Sequence, residues 1–205
     1  MKFTPASDRS LLVTLGEGID RQTNARIHLL SQKLQKLEEI TSQSPAYASL
    51  LIRFDPIKIT HEELESLIKS TPLDHAEAPA PRTIGIPVDY NGTDLDELAE
   101  RHSITREQLI ETHSETIYHA YFTGFVPGFV YLGEVPSAIA TPRRSTPRRE
   151  VPAGSVAIAG TQTGVYPITT PGGWNLIGHT DALMFDPAAG RALVEPGDRV
   201  RFIRL

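Results

Sequence analysis

The sequence contains no cysteine, only two methionines, and no lysine after residue 80. The lack of cysteine excludes disulfides, thiol nucleophiles, thiolate-bound zinc and cysteine-ligated iron–sulfur clusters. No apolar run approaches the roughly 20 residues that a membrane-spanning helix needs. The net charge of −5 does not suit a general binder of nucleic acids or anionic membranes. These absences exclude several classes of site and partner before any motif is considered.

The composition is that of a globular protein, with 40% hydrophobic and 22% charged residues in a chain of 205. This length suits one large domain or two small ones. The apolar patch from Leu11 to Leu15 is too short for a signal-peptide core, and no small-residue cleavage site follows it. We therefore expect a cytoplasmic protein without a membrane or nucleic-acid partner.

The composition changes near residue 80. All five lysines lie before it, and 13 of the 15 glycines lie after it. The segment from Ala78 to Pro81 is typical of a short stiff linker, because proline fixes its own φ and disfavours helix in the preceding residue. We place a domain boundary there. The predicted domains are residues 1–80 and residues 81–205.

The first domain is predicted to be a small α/β sandwich with the order strand, helix, strand, helix. The strands are expected at Leu11 to Leu15 and at Ala48 to Phe54. Asp20 is expected to cap the first helix, and Thr60 with Glu63 forms a capping box for the second. An apolar stripe at three- and four-residue steps marks the first helix: Ile27, Leu30, Leu34, Leu37 and Ile40.

The second domain begins with a predicted strand at Thr83 to Val88. Two short helices should follow, capped by Thr93 with Asp96 and by Thr105 with Gln108. Beyond about Glu115 the hydrophobic period changes to two, and glycine and proline recur every few residues. This pattern is typical of a β-barrel or sandwich of short strands, which makes the whole chain α+β.

Two segments of this domain combine a special backbone with large or charged side chains. Residues 124–133, GFVPGFVYLG, hold three glycines, a proline and three aromatic rings, which either wall a pocket or fill a barrel corner. Residues 141–150 hold the arginines Arg143, Arg144, Arg148 and Arg149. A guanidinium fork binds carboxylate or phosphate with two hydrogen bonds, so this stretch is either an anion site or a solvated charged loop.

Two further segments are glycine-rich. In residues 154–167 a turn carries Thr161 and Gln162 between two predicted strands, which suits close approach of a ligand but also suits a plain hairpin. The pattern is not a P-loop, because that motif requires a lysine. Residues 171–180 hold the single tryptophan, Trp174, and His179. Histidine at this position is available for proton transfer, although a lone His or Trp is more often structural.

Taken together and in order, these four segments resemble the family of 5-oxoprolinase B subunits, which includes the KipI kinase inhibitor and is also called allophanate hydrolase subunit 1. The resembling stretches are Gly124 to Leu132, Thr141 to Arg148, Pro152 to Pro167 and Pro171 to Gly178. The chain departs from the family pattern at Val130, where proline is expected. The resemblance implies a small N-terminal α/β domain followed by a cyclophilin-like β-barrel domain.

The resemblance also implies an activity, which is the ATP-dependent opening of the 5-oxoproline lactam to glutamate together with an A subunit and a C subunit. ATP would act with magnesium at the level of the complex, and neither is expected to bind tightly to this chain alone. On this hypothesis Arg143, Arg144 and Arg148 bind phosphate or the substrate carboxylate. Thr161, Gln162 and Trp174 contact the lactam, and His113 or His179 transfers a proton.

Two alternatives stay open. A KipI-like protein with the same fold would bind a sensor histidine kinase and block phosphotransfer, and the sequence alone barely separates this role from that of the enzyme subunit. A component of a urea or allophanate amidolyase ranks lower, because no hydrolase signature is present.

Overall fold

The computed structural model describes residues 1–73 and 81–205. Its contacts divide the chain into two compact units, Met1–Pro79 and Ala80–Leu205. The predicted linker, Ala78 to Pro81, lies outside the described residues except for Pro81. Both units combine helices with largely antiparallel sheets, which confirms the predicted α+β class.

Within residues 1–73, the N-terminal unit has a four-stranded antiparallel sheet and two helices. Its elements are β1 Lys2–Ser7, β2 Ser10–Thr14, α1 Arg21–Leu34, β3 Ile40–Pro45, β4 Ser49–Phe54 and α2 His61–Ser70. The strands lie in the order β1-β2-β4-β3. Leu50, Ile52 and Phe54 alternate with more exposed residues along β4 and pack with buried residues of both helices in one apolar core.

Both predicted helix starts in this unit are confirmed. The Asp20 carboxylate accepts a hydrogen bond from the backbone N–H of Thr23 at 2.7 Å. At the second helix, Thr60 Oγ1 accepts from the Glu63 N–H at 3.2 Å, and the Glu63 carboxylate accepts from the Thr60 N–H at 2.9 Å. These bonds satisfy N–H groups that have no partner inside a helix, which is why the local sequence marks them so clearly.

The predicted extension of α1 to Leu37 and Ile40 is wrong. The helix ends at Leu34, and Ile40 begins β3 opposite Phe54. Both residues still pack against the apolar core, so the hydrophobic stripe continued after the helix had ended. The sequence patterns also missed β1 and β3, because these edge strands are mostly exposed and show no clear alternation.

The C-terminal unit contains two helices and most of the strands. Its elements are β5 Thr83–Val88, α3 Leu95–Arg101, α4 Arg106–Glu115, β6 Ile117–Thr123, β7 Val130–Gly133, β8 Arg148–Val151, β9 Ser155–Ala159, β10 Gln162–Val165, β11 Thr170–Gly172, β12 Asn175–His179, β13 Phe185–Asp186, β14 Arg191–Ala192 and β15 Arg199–Arg204. Seven strands form one sheet in the order β12-β9-β10-β7-β6-β15-β5. The pairs β8 with β11 and β13 with β14 form two small sheets.

The seven-stranded sheet closes almost completely into a barrel. Its two outermost strands, β12 and β5, meet through Asp89, which directly follows β5. The Asp89 N–H donates to the His179 carbonyl and the His179 N–H donates to the Asp89 carbonyl, both at 2.8 Å. Closure of this kind pairs backbone groups that an open sheet edge would leave exposed.

The two predicted helix starts of this unit have different outcomes. Thr105 and Gln108 form the predicted capping box at α4. The predicted cap by Thr93 with Asp96 is wrong, because α3 begins at Leu95 directly after Asp94. The Asp94 side chain makes no capping hydrogen bond. Its carboxylate instead binds groups far away in the sequence.

His113 is fully buried in the barrel core, where its ring forms hydrogen bonds with two other buried side chains. Its Nε2 lies 2.9 Å from Thr163 Oγ1, and its Nδ1 lies 2.8 Å from the Tyr90 hydroxyl. Thr163 Oγ1 donates to the Ala157 carbonyl, so it accepts from the Nε2–H, and Tyr90 donates to Nδ1. The ring is therefore neutral, and burial lowers the pKa of His113 to about 3.

The depressed pKa of His113 predicts loss of stability in acid. Between its ordinary value of 6.5 and about 3, the unfolded chain holds a proton on this residue that the folded chain does not. Stability therefore falls as pH falls, and this residue should lower the free energy of unfolding by about 2 kcal/mol between pH 7 and pH 5. Denaturant unfolding at the two pH values measures this difference.

The substitution His113→Gln keeps a donor and an acceptor but does not titrate in this range. We expect it to reduce the pH dependence relative to the parent chain. The control His179→Gln removes a half-exposed histidine and should leave the pH dependence largely intact. An identical acid sensitivity in His113→Gln and the parent chain would contradict the assignment.

Candidate functional site

One face of the barrel sheet carries an aromatic cluster. Successive strand residues point to opposite faces, so Val156 and Ile158 of β9 enter the barrel core while Ala157 and Ala159 face the other way. Large rings pack over these two alanines. The aromatic cluster comprises four rings with centroids 5.0 to 5.8 Å apart in edge-to-face contacts: Phe129, Tyr131, Tyr166 and Trp174.

Two glycines lie against these rings. A Cβ atom at Gly172 would lie only 2.3 Å from the Tyr166 hydroxyl oxygen, a separation that no real side chain tolerates. A Cβ atom at Gly164 would lie 3.0 Å from the Val130 carbonyl oxygen and would make ordinary contacts with the Phe129 and Trp174 rings, at 3.4 and 3.5 Å. The packing of the aromatic cluster therefore requires glycine at position 172.

The loop before β7 adds Phe125 at the margin of the cluster. Its φ is +72°, which is unusual for a large residue, and its side chain is 57% exposed. The ring makes an edge contact with Phe129 at 5.5 Å. Hydrogen bonds from Gly124 N–H to the Phe129 carbonyl and from Phe129 N–H to the Val126 carbonyl hold the loop. Phe129 is buried, as expected of a ring that fills the core, whereas Phe125 faces solvent.

The arginine segment is fastened beside β12. The Asn175 side-chain amide donates to the Pro142 carbonyl at 2.9 Å, and the Arg144 N–H donates to the Gly173 carbonyl at 2.8 Å. At the start of the segment, the Gly160 N–H donates to the Thr141 carbonyl. These bonds bring the second motif next to the third and fourth, although 30 residues separate Arg144 from Trp174 in sequence.

Arg143 lies over the aromatic cluster. Its guanidinium carbon is 5.9 Å from the centroid of the Trp174 ring, within the range of a cation–π interaction. Burial raises the pKa of the Tyr131 and Tyr166 hydroxyls, and the positive charge of Arg143 acts in the opposite direction. Arg143 itself is exposed, so its positive charge is accessible at the edge of the cluster.

Arg144 and Arg148 have a different environment, because both bind the buried carboxylate of Asp94. Arg144 Nη1 lies 3.0 Å and Arg148 Nη2 lies 2.5 Å from Asp94 Oδ1. Glu97 lies 3.3 Å from Arg144 Nη1 as a second acidic partner. The structure therefore gives an internal anion to two of the three arginines that were expected to bind a ligand.

The glycine-framed turn places its two candidate residues differently. Gln162 lies opposite Gly133 and Ala159 and is half-buried on the same sheet face as the aromatic cluster. It is two residues from Gly164, or about 7 Å along the strand. Thr161 is exposed at the turn, where its carbonyl accepts from the Val135 N–H at 2.9 Å.

The two candidate histidines lie apart from the aromatic cluster. His179 ends β12, four residues from Asn175 and thus about 13 Å along the strand from the end that carries Trp174. Its Nε2 lies 3.2 Å from the carboxylate of Asp181, and its ring packs against Gly154. His113 is enclosed in the barrel core with both ring nitrogens hydrogen-bonded. The structure brings Arg143 and Trp174 together and places Gln162 on the same sheet face as Trp174, whereas these histidines lie elsewhere.

Sequence reasoning missed the contribution of Asp94 and Asn175 to the site. Asp94 stood in a pattern typical of a helix start, and its partners lie 50 and 54 residues further along the chain. No local signal identifies such long-range partners. Asn175 stood inside the fourth motif, but its contact with the Pro142 carbonyl also depends on the tertiary fold.

Within residues 1–73 and 81–205, no group of three His, Asp or Glu side chains is arranged to hold a metal ion. In the same ranges the longest helix is α1, with 14 residues, and none of the helices can cross a bilayer. Phe129, Tyr166 and Trp174 are at most 5% exposed, so the accessible part of the candidate site consists of Phe125, Tyr131, the Arg143 guanidinium and the Gln162 amide.

Known proteins are similar over almost the whole chain. It is 39% identical over 201 residues to the 5-oxoprolinase B subunit of Escherichia coli O157:H7, a match that covers 96% of this chain and 92% of that relative. Identity to the 5-oxoprolinase B subunit of Bacillus subtilis strain 168 is 37%, covering 97% of this chain and 90% of that relative.

Solved structures share the fold. TTHA0988 superposes with a TM-score of 0.87 at 38% identity, over 96% of this chain. The match spans only 40% of the TTHA0988 chain. The urea amidolyase of K. lactis superposes with a TM-score of 0.79 at 18% identity, over 99% of this chain and 15% of that one. At that identity the likeness shows the fold alone.

The family model described as carboxyltransferase domain, subdomain C and D, matches residues 1–194. Together with the identities above, this match confirms the membership that the four ordered motifs predicted. The chain belongs to the carboxyltransferase-domain family that contains the 5-oxoprolinase B subunits.

Proposed function

We propose that this chain is the B subunit of an ATP-dependent 5-oxoprolinase and that the exposed edge of its aromatic cluster, at Phe125 and Tyr131, binds the lactam substrate together with Arg143 and Gln162. The proposal is supported by the relatives, which are named as 5-oxoprolinase B subunits. The observation that carries it is the position of the Arg143 guanidinium over the Trp174 ring, at the edge of the mostly buried aromatic cluster, where Phe125 and Tyr131 keep accessible surface.

The substrate has three features that this surface can recognise. Its five-membered ring has apolar faces, which suit packing against the accessible rings of Phe125 and Tyr131. Its carboxylate suits the guanidinium of Arg143, which can donate two parallel hydrogen bonds. Its lactam N–H and carbonyl match the acceptor and donor of the Gln162 amide. In this proposal the chain binds and orients the lactam, and Thr161 lies at the rim.

The remaining candidate residues take other roles in the proposal. Arg144 and Arg148 are bound to Asp94 and hold the segment that carries Arg143. His113 stabilises the barrel core, and His179 lies too far along β12 to reach a ring held at Trp174. We assign proton transfer to a group from another subunit of the complex.

We assign ATP and Mg²⁺ to the A and C subunits. The described residues include no metal-binding cluster of acidic side chains, and two arginines near the candidate site already have an acidic partner. The residues present therefore do not suit a nucleotide with its metal ion. Because ATP and Mg²⁺ bind to other subunits in this proposal, the isolated chain is inactive in lactam opening.

Substitution of Arg143 tests the substrate site. In the complex co-expressed with A and C subunits, Arg143→Gln should raise the KM for 5-oxoproline roughly 10- to 100-fold, because a charge-assisted hydrogen-bond pair is lost. The KM for ATP should stay unchanged. Glutamate release measured against the concentration of each substrate gives both values.

Arg149→Gln is the matched control, since Arg149 is an exposed arginine of the same segment. It should leave both KM values as they are. If Arg143→Gln behaves like this control in a complex that turns over normally, the placement of the carboxylate is wrong.

A nucleotide-binding measurement tests the assignment of ATP and Mg²⁺ to the A and C subunits. Titration calorimetry with Mg·ATP should give binding to the complete complex and none to the isolated chain. Tight binding by the isolated chain would contradict the assignment.

A purification from the native host distinguishes the two partner hypotheses. Recovery of A and C subunits supports the enzyme, whereas recovery of a sensor histidine kinase without them favours an inhibitor.

A further inference from the structure

The buried carboxylate of Asp94 links the arginine segment to β12, beside the candidate site. Its side chain is 4% exposed, and both oxygens are bound. Oδ1 accepts from Arg144 and Arg148, while Oδ2 accepts from the Leu176 N–H at 2.7 Å. The Asp94 N–H in turn donates to the Leu176 carbonyl at 2.9 Å. One residue thus contacts both the arginine segment and β12.

These contacts lie next to the residues proposed to bind the lactam. Arg144 directly follows Arg143, and Leu176 lies two residues after Trp174. Arg148 also donates to the Trp174 carbonyl at 3.4 Å. Asp94 therefore holds the chain next to Arg143 through Arg144, and the chain next to Trp174 through Leu176. These contacts position Arg143 relative to the Trp174 ring.

The charge of Asp94 matters as much as its hydrogen bonds. Two guanidinium groups at one carboxylate oxygen would repel each other if that oxygen lost its charge. A buried carboxylate without partners is equally unfavourable, so the three groups stabilise one arrangement together. Without the negative charge, Arg144 would keep Glu97 as its acidic partner, and Arg148 would turn to solvent or to an anionic ligand.

The backbone around Asp94 is closely fitted to β12. A Cβ atom at Gly92 would lie 2.3 Å from the Ile177 carbonyl carbon and 2.4 Å from the Leu176 carbonyl oxygen. Glycine at this position lets the chain approach β12 closely enough for the Asp94 carboxylate to reach the Leu176 N–H.

We propose that Asp94 is a positioning residue that sets the Arg143–Trp174 pair and keeps Arg144 and Arg148 away from the ligand. The part of this proposal that concerns substrate rests on the proposed function. The part that concerns geometry does not, because it can be measured on the isolated chain.

Trp174 is the single tryptophan, so its fluorescence reports directly on this pair. In the isolated chain, Asp94→Asn should shift the emission to longer wavelength and increase quenching by acrylamide. Arg143→Gln should change the emission in the same direction, because it removes the cation above the ring. The control Asp96→Asn replaces an exposed acidic residue of α3 and should change neither quantity.

The assembled enzyme supplies a second measurement. Asp94→Asn should raise the KM for 5-oxoproline at least roughly ten-fold while leaving the KM for ATP unchanged, since it acts through a charge-assisted contact. The double variant Asp94→Asn, Arg143→Gln should show the KM of Arg143→Gln alone. Such non-additivity is expected of residues that act through one another and not of two independent losses.

If Asp94→Asn does not fold, Arg148→Met removes one of the two cationic partners and should give the same change in fluorescence. Unchanged emission and quenching in a folded Asp94→Asn chain, with circular dichroism and Tm like the parent, would overturn the proposal. So would additive KM effects in the double variant. A parent complex without turnover would remove the proposed function, while the fluorescence result would still decide the role of Asp94.

Discussion

The candidate site depends on one buried ionic cluster, in which Asp94 binds Arg144, Arg148 and the Leu176 N–H. A buried carboxylate is unfavourable unless charged and hydrogen-bonding groups surround it, so this cluster permits few alternative arrangements. It determines the course of the arginine segment beside β12. Arg143 and Trp174 meet because the backbone on either side of them is held in place.

The second constraint is the alternation of side chains in the barrel sheet. One face of β9 supplies Val156 and Ile158 to the barrel core, and the other supplies only alanines to the aromatic cluster. Small residues on the outer face leave the volume that the aromatic cluster fills. A single short strand thus contributes both to the stability of the barrel and to the floor of the candidate site.

The features predicted correctly from the sequence were mostly local ones. The caps at Asp20, Thr60 and Thr105 depend on residues three positions apart, and the structure has all three. The helix-start prediction at Thr93 was wrong. The side chain of the neighbouring Asp94 accepts hydrogen bonds from arginines 50 and 54 positions further along the chain and does not cap its own helix. The polar edge strands β1 and β3 also gave no signal, since neither has a buried face to produce alternation.

The sequence by itself determined the α+β class, because turn chemistry and hydrophobic period are properties of neighbouring residues. The family followed from the resemblance of four ordered motifs, which also needs the sequence alone. Only the tertiary structure decided how the charges in those motifs are used. Four arginines within seven residues look alike in sequence, yet Arg144 and Arg148 are paired with Asp94 while Arg143 lies over an aromatic ring. Likewise, His113 became a neutral core residue because burial disfavours its charged form, a cost that no local pattern reveals.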